Sequence, residues 1–128
     1  MRNKTTLKKK AANSIDFTDV IIDSIQDIKG KNILKLDLRD LEDGPADYFI
    51  ICEGDSVTQI SSISDNVVKR MKEEFDILPS HVEGKQFSTW VLVDYFDIIV
   101  HIFYPETRRF YELEDLWSDA KITEYQNI

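Results

Sequence analysis

Two spacings of apolar residues divide this chain into elements: a spacing of three to four that marks helices, and runs or alternations that mark strands. Phe17, Ile21, Ile25 and Ile28 recur at helical spacing, which predicts a helix over about Phe17 to Lys29 with Asp16 as its N-cap and Asp19 in its first turn. Gly30 stands where a helix C-terminus commonly places glycine. Asn32 to Leu38 alternates Leu34, Leu36 and Leu38 against Ile33, Lys35 and Asp37, so it reads as a half-exposed strand. A turn at Asp43-Gly44-Pro45 leads to a second strand, Tyr48 to Cys52, closed by Gly54-Asp55. Ser56 with Gln59 forms a capping box ahead of the stripe Val57, Ile60, Ile63, Val67, Met71 and Phe75, which predicts a long helix to about Glu74. Leu78-Pro79 breaks that pattern, His81-Val82-Glu83 is a short strand at best, and Gly84 opens a polar loop to Ser88. After Pro105, the spacing of Phe110, Leu113, Leu116 and Trp117 predicts a short helix lying back over the sheet, and the last residues read as a frayed end.

Thr89 to Phe103 is the segment richest in β-branched and aromatic residues, and it fits a hairpin of Trp90–Val93 and Ile98–Phe103. Two registers are open. A two-residue turn at Tyr95-Phe96 pairs Asp94 with Asp97 and gathers both carboxylates on one face with Trp90, Leu92, Ile99 and His101. A three-residue turn with a bulge at Phe96 brings Val91 and Val93 onto the face of Asp97, Ile99 and His101 instead. In either register Ile98, Val100 and Ile102 form an apolar face, and function is expected on the other. Like charges directly opposite destabilise a sheet, so the first register carries a cost.

Length changes this picture little: 128 residues make one domain that buries about two-thirds of its unfolded surface. The fold class expected is α/β (α+β), a mixed sheet of about five strands flanked by helices. Charge changes it more. Five basic residues, Arg2, Lys4, Lys8, Lys9 and Lys10, fall in the first fourteen positions; the rest of the chain carries eleven basic against 24 acidic residues, a net −13. Three parts follow: a basic tail over 1–14, a domain over 15–120, and a frayed end over 121–128. An acidic body is repelled by phosphate backbones, which argues against DNA as a partner and for a basic protein. Cys52 is the single cysteine, so no internal disulfide can form, and the sequence suits a reducing compartment. No apolar stretch is long enough to span a membrane, and the first ten residues lack the apolar core of a signal peptide, so the chain reads as cytoplasmic with no membrane partner.

Gly54-Asp55-Ser56 ahead of a helix invites phosphate, yet it has too few glycines, lacks a lysine, and Asp55 repels an anion. Nucleotidyl transfer needs carboxylates alternating along a strand to hold a divalent ion; Asp94 and Asp97 do not alternate, and two ligands are too few. Cys52 with His81 or His101 could pair a nucleophile and a base, but Cys52 ends an apolar run and reads as a small core residue. No zinc-ligand spacing occurs. No catalytic residue, metal or cofactor is therefore expected. His101 interrupts an apolar strand, either as a hydrogen-bonded core histidine or as a partner contact.

Taken in order, Asp47-Tyr48-Phe49-Ile50-Ile51, Gly54-Asp55-Ser56, Val82-Glu83-Gly84, Trp90-Val91-Leu92-Val93-Asp94-Tyr95, Asp97-Ile98-Ile99-Val100-His101-Ile102-Phe103 and Arg109-Phe110-Tyr111-Glu112-Leu113-Glu114-Asp115-Leu116-Trp117 resemble the ribosomal silencing factor family, also called Iojap-like. The resemblance covers about Phe17 to Ala120. It departs at Phe96, where the family usually has glycine. It implies a domain similar to the nucleotidyltransferase fold but without catalysis. It also implies binding to the large ribosomal subunit through its fourteenth protein, steric exclusion of the small subunit, and repression of translation under nutrient limitation; free members also tend to dimerise. Glu83, Trp90, Asp94, Tyr95, Asp97 and His101 are the partner-binding residues expected on this reading. The alternatives are a metal-dependent nucleotidyl transfer enzyme and an acidic adaptor for another basic partner.

Overall fold

A computed structural model describes residues 17–128. The elements are α1 (Phe17–Asp27), β1 (Lys31–Asp37), β2 (Tyr48–Glu53), α2 (Val57–Phe75), β3 (His81–Glu83), β4 (Trp90–Asp94), β5 (Ile98–Phe103), α3 (Pro105–Tyr111), α4 (Leu113–Leu116) and β6 (Lys121–Tyr125). The six strands form one mixed sheet in the order β3-β4-β5-β2-β1-β6. β2 and β5 run parallel and every other pair is antiparallel. A parallel pair needs a crossover, here supplied by α2 with β3 and β4.

Period-two alternation sorts the strand side chains onto two cores. On one face Ile50, Cys52, Val91, Val93, Ile98, Val100 and Ile102 pack beneath the stripes of α1 (Ile21, Ile25) and α2 (Ile60, Ile63, Val67, Met71). On the other, Leu36, Leu38, Phe49, Ile51 and Phe103 are partly covered by Leu113 and Trp117. α2 begins as its capping box requires: the Gln59 amide donates to Ser56 Oγ at 3.1 Å, and Gln59 Oε1 accepts the Asp55 amide at 2.6 Å, one residue earlier than in the standard box.

The structure corrects several expectations. Gly30 does not take up the left-handed turn after α1; Lys29 does, at φ 63. Gly30 instead lies so close to Ile25 that a Cβ there would come within 2.3 Å of its Cγ2. β1 is an interior strand of the sheet, because the C-terminal residues expected to fray form β6 and pair with it from Ile33–Tyr125 to Asp37–Lys121. The C-terminal helix is broken. Glu112 turns left-handed at φ 46 between α3 and α4, and the rotation it introduces lets Leu113 and Trp117 reach the core while Phe110 and Leu116 stay exposed. The Asp16 cap and the basic tail lie outside the described residues.

Neither hairpin register holds in full. Asp94 opposes Ile99, Leu92 opposes His101 and Trp90 opposes Phe103. The turn therefore has two residues, but they are Phe96 and Asp97. The Tyr95 amide donates to the Ile98 carbonyl at 2.9 Å, and the Asp97 amide donates back to the Tyr95 carbonyl at 3.0 Å. This two-residue shift of the pairing keeps Trp90, Leu92 and Asp94 on the face of Ile99 and His101, as the first register had it, but no longer sets the two aspartates opposite each other. Phe96 sits at φ 78, where a bulky side chain crowds its own backbone; its amide is held by Asp94 Oδ1 at 2.7 Å.

Phe96→Gly should therefore stabilise the fold by about 1 kcal/mol, since glycine adopts positive φ freely and Phe96, 80% exposed, gives up little burial. Urea unfolding checks this. A lower midpoint for the glycine variant would show that the ring packs in a way that outweighs the strain.

Candidate functional site

Strand pairing brings the chemistry-bearing residues together at one end of the sheet, on the face opposite α1 and α2. Because residues directly opposite on neighbouring strands share a face, His81 and Glu83 of β3 join Leu92 and Asp94 of β4 and His101 of β5. α3 and α4 cover the centre of this face and leave the β3–β4 end open. A groove of about 330 Å³ remains there, lined by Glu83, Gly84, Trp90 and Leu92. Gly84 is required: it takes φ 86, and a Cβ would come within 2.0 Å of the Trp90 carbonyl.

Trp90 occupies the inner wall of the groove. Its ring lies 4.8 Å from Phe103 and 4.9 Å from Tyr111, and Tyr111 lies 5.0 Å from Phe110, so aromatic contacts run outward from the buried core to solvent. Each such pair contributes about 0.5–1.5 kcal/mol beyond its buried area. The indole Nε1–H donates to His101 Nδ1 at 3.1 Å. His101 is 4% exposed, edge-on to Phe49 at 4.6 Å, so it lies beneath the surface and not on it. Since Nδ1 accepts, the proton resides on Nε2, which is buried and has no partner among the described residues. An orphan donor of this kind costs about 1–3 kcal/mol. Burial lowers the His101 pKa from 6.5 to about 4, so the ring is neutral at physiological pH.

Two carboxylates, Glu83 and Asp94, lie on the same face as this apolar centre. His81 Nε2 is 2.8 Å from Glu83 Oε2 and 3.5 Å from Asp94 Oδ2, linking the two acids across β3 and β4. Asp97 lies exposed at the turn, where its backbone carbonyl accepts the amides of Asp47 and Tyr48 at 2.9 and 3.0 Å. Tyr95 goes to the opposite face, against the helix-side core, and burial pushes its hydroxyl up to about 12. Of the six residues expected at the site, Glu83, Trp90 and Asp94 thus share an accessible surface. His101 supports it from below, Asp97 stands exposed at the hairpin turn, and Tyr95 is separated from it by the thickness of the sheet. The sequence reading missed Tyr111 and Phe110. Two adjacent aromatics on a short helix cannot both face the sheet, and that was the available signal. Among the described residues, no group of three or more His, Cys, Asp or Glu side chains is placed to hold a metal ion. No helix among them is long and apolar enough to cross a membrane.

A family model described as "Ribosomal silencing factor during starvation" matches residues 11–128. The chain belongs to the ribosomal silencing factor family. It is 35% identical over 124 residues to "Ribosomal silencing factor RsfS" of Bacillus subtilis, covering 97% of this chain and 94% of that protein. A crystal structure of a Chromobacterium violaceum protein superposes with a TM-score of 0.75 at 33% identity, over 80% of this chain and 83% of that one. Over 74 residues, 56% of this chain and 32% of the other, it is 36% identical to the mouse protein named "Mitochondrial assembly of ribosomal large subunit protein 1". The family assignment and the mixed α/β fold agree with what the sequence motifs implied.

Burial of His101 gives the domain a specific acid sensitivity. An unfolded histidine takes up a proton near pH 6.5 and the folded one near 4, so between these values the unfolded state binds more protons. The stability tied to neutral His101 is complete above pH 6.5 and is lost as the pH falls toward 4, by roughly 2–3 kcal/mol. Urea unfolding at pH 7 and 4.5 should show this loss in the native protein and a markedly smaller one in His101→Phe. Equal losses in both proteins would contradict the assignment.

Proposed function

We propose that this chain acts as a ribosomal silencing factor by docking the open β3–β4 end of its sheet onto a basic protein of the large ribosomal subunit, the fourteenth. Bound there, it keeps the small subunit from joining and lowers translation when nutrients run short. The observation that carries the reading is Trp90: a half-buried tryptophan in an apolar groove that Glu83 also lines, with Asp94 further along the same strand face. Interfaces concentrate their energy in such aromatic anchors, with a polar rim that excludes water and selects the partner. A net charge of −13 on residues 15–128 suits a basic partner and speeds encounter with it. The family description names ribosomal silencing, and the mouse relative's name refers to the large subunit. On this reading the domain works as a steric block in the cytoplasm, without catalysis. The hairpin register supports that, because Asp94 lies opposite Ile99 and is not paired with Asp97. Exposed Phe110 and Tyr111 would extend the same surface, and would also suit pairing of two free copies.

The protein should co-sediment with free large subunits and be missing from intact ribosomes on a sucrose gradient, because the blocker and the small subunit compete for one surface. Finding it on translating ribosomes and not on free large subunits would sink the proposal. Trp90→Ala should weaken large-subunit binding about thirtyfold, as expected of an anchor contributing 2 kcal/mol or more. Asp97→Lys, which both removes an attraction and adds a repulsion, should weaken it roughly tenfold with an unchanged melting temperature. An Asp97→Lys variant that melts early yet binds normally would mean that Asp97 only shapes the turn.

A further inference from the structure

His101 is costly where it stands. Its Nε2–H is buried without a partner, in a cluster otherwise built from Phe49, Phe103, Trp90 and Trp117, and a phenyl ring of similar size would leave no orphan there. What a phenyl ring could not do is accept a hydrogen bond. The acceptor is Nδ1, and its donor is the indole of the residue that walls the groove. Without it the indole N–H would face an apolar cluster, and Trp90 would relieve that by rotating outward to solvent, carrying the groove wall with it. The charged groups at this end of the face, His81, Glu83 and Asp94, pair with one another.

We propose that His101 is a positioning residue for recognition: by accepting the indole N–H from beneath, it fixes Trp90 between Phe103 and Tyr111 in the orientation that a partner reads. This rests on the docking function proposed above and deepens it. A pre-oriented side chain spares the complex the entropy of immobilising it on binding, which corresponds to roughly a threefold to tenfold gain in affinity. The role asks for an acceptor at the Nδ1 position and for nothing of the imidazole's charge.

The experiment uses the full chain and purified large ribosomal subunits, with affinity measured for the wild type, His101→Phe, His101→Asn and Trp90→Ala. The Trp90 indole N–H resonance is followed in parallel by ¹⁵N spectroscopy of the free protein. His101→Phe should weaken binding threefold to tenfold, and should shift the indole resonance and speed its exchange with water. His101→Asn, whose Oδ1 lies near the place of Nδ1, should restore both. Wild-type affinity in His101→Phe, while Trp90→Ala binds poorly, would overturn the positioning role and leave the docking surface standing. Wild-type affinity in Trp90→Ala would overturn the docking surface and the positioning role with it. Should His101→Phe fail to fold, the wild-type protein still decides: an indole N–H exchanging as fast as one in free solution would refute the bond.

Discussion

The parallel ladder between β2 and β5 is the constraint on which the remaining architecture depends. Six residue pairs, from Tyr48–Ile98 to Glu53–Phe103, place two strongly apolar strands side by side at the centre of the sheet. Such strands must be covered on both faces. The connection between them has to cross from one end of the sheet to the other, and α2, spanning 19 residues, makes the crossing and covers one face with its stripe. Among the described residues no long helix lies on the other face. Two short helices and Trp117 cover its middle, and its β3–β4 end stays open. The surface that presents Trp90 is thus what remains after the chain has spent its long helices on one side.

Buried arginines tie the two layers to the sheet. Arg108 on α3 donates through Nη1 to the Asn32 carbonyl at 2.7 Å and to Glu53 at 3.1 Å, and through Nε to Glu114 at 3.0 Å, so one side chain joins both short C-terminal helices to β1 and β2. Arg70 does the same between the long helices, reaching Asp23 and Asp27 on α1 at 2.9 and 2.7 Å and Glu74 on its own helix at 2.8 Å. Removing one partner of such a pair leaves a buried charge uncompensated, which costs far more than the pair contributes. The acidic surplus of the domain is therefore not all solvated surface, since part of it holds these two guanidinium groups in place.

Side-chain identity accounts for how the aromatic surface arises. Phe103 is fully buried, Trp90 is half-buried, and Tyr111 and Phe110 are progressively exposed, so one contact series passes from core to solvent without a polar break. Glu112 at φ 46 is what turns α3 away at that point, and Phe96 at φ 78 similarly bends the hairpin tip where Asp97 is displayed.

Local spacing was enough to read α1, α2, β2 and the central hairpin, because each has a periodic apolar pattern that a single element satisfies. It also singled out His101 as a residue that interrupts an apolar strand. The motif order carried the family. Three features required the folded chain. A two-residue shift of pairing along the hairpin leaves every side chain on its face, so the pairing of Asp94 with Ile99 could be settled only by where β5 sits against β2. Lys121–Tyr125 is weakly apolar and forms a strand only because β1 offers it a free edge. Burial of His101 beneath Trp90, and of Tyr95 on the far side, depends on which face each helix covers, a long-range outcome that no window of neighbouring residues contains.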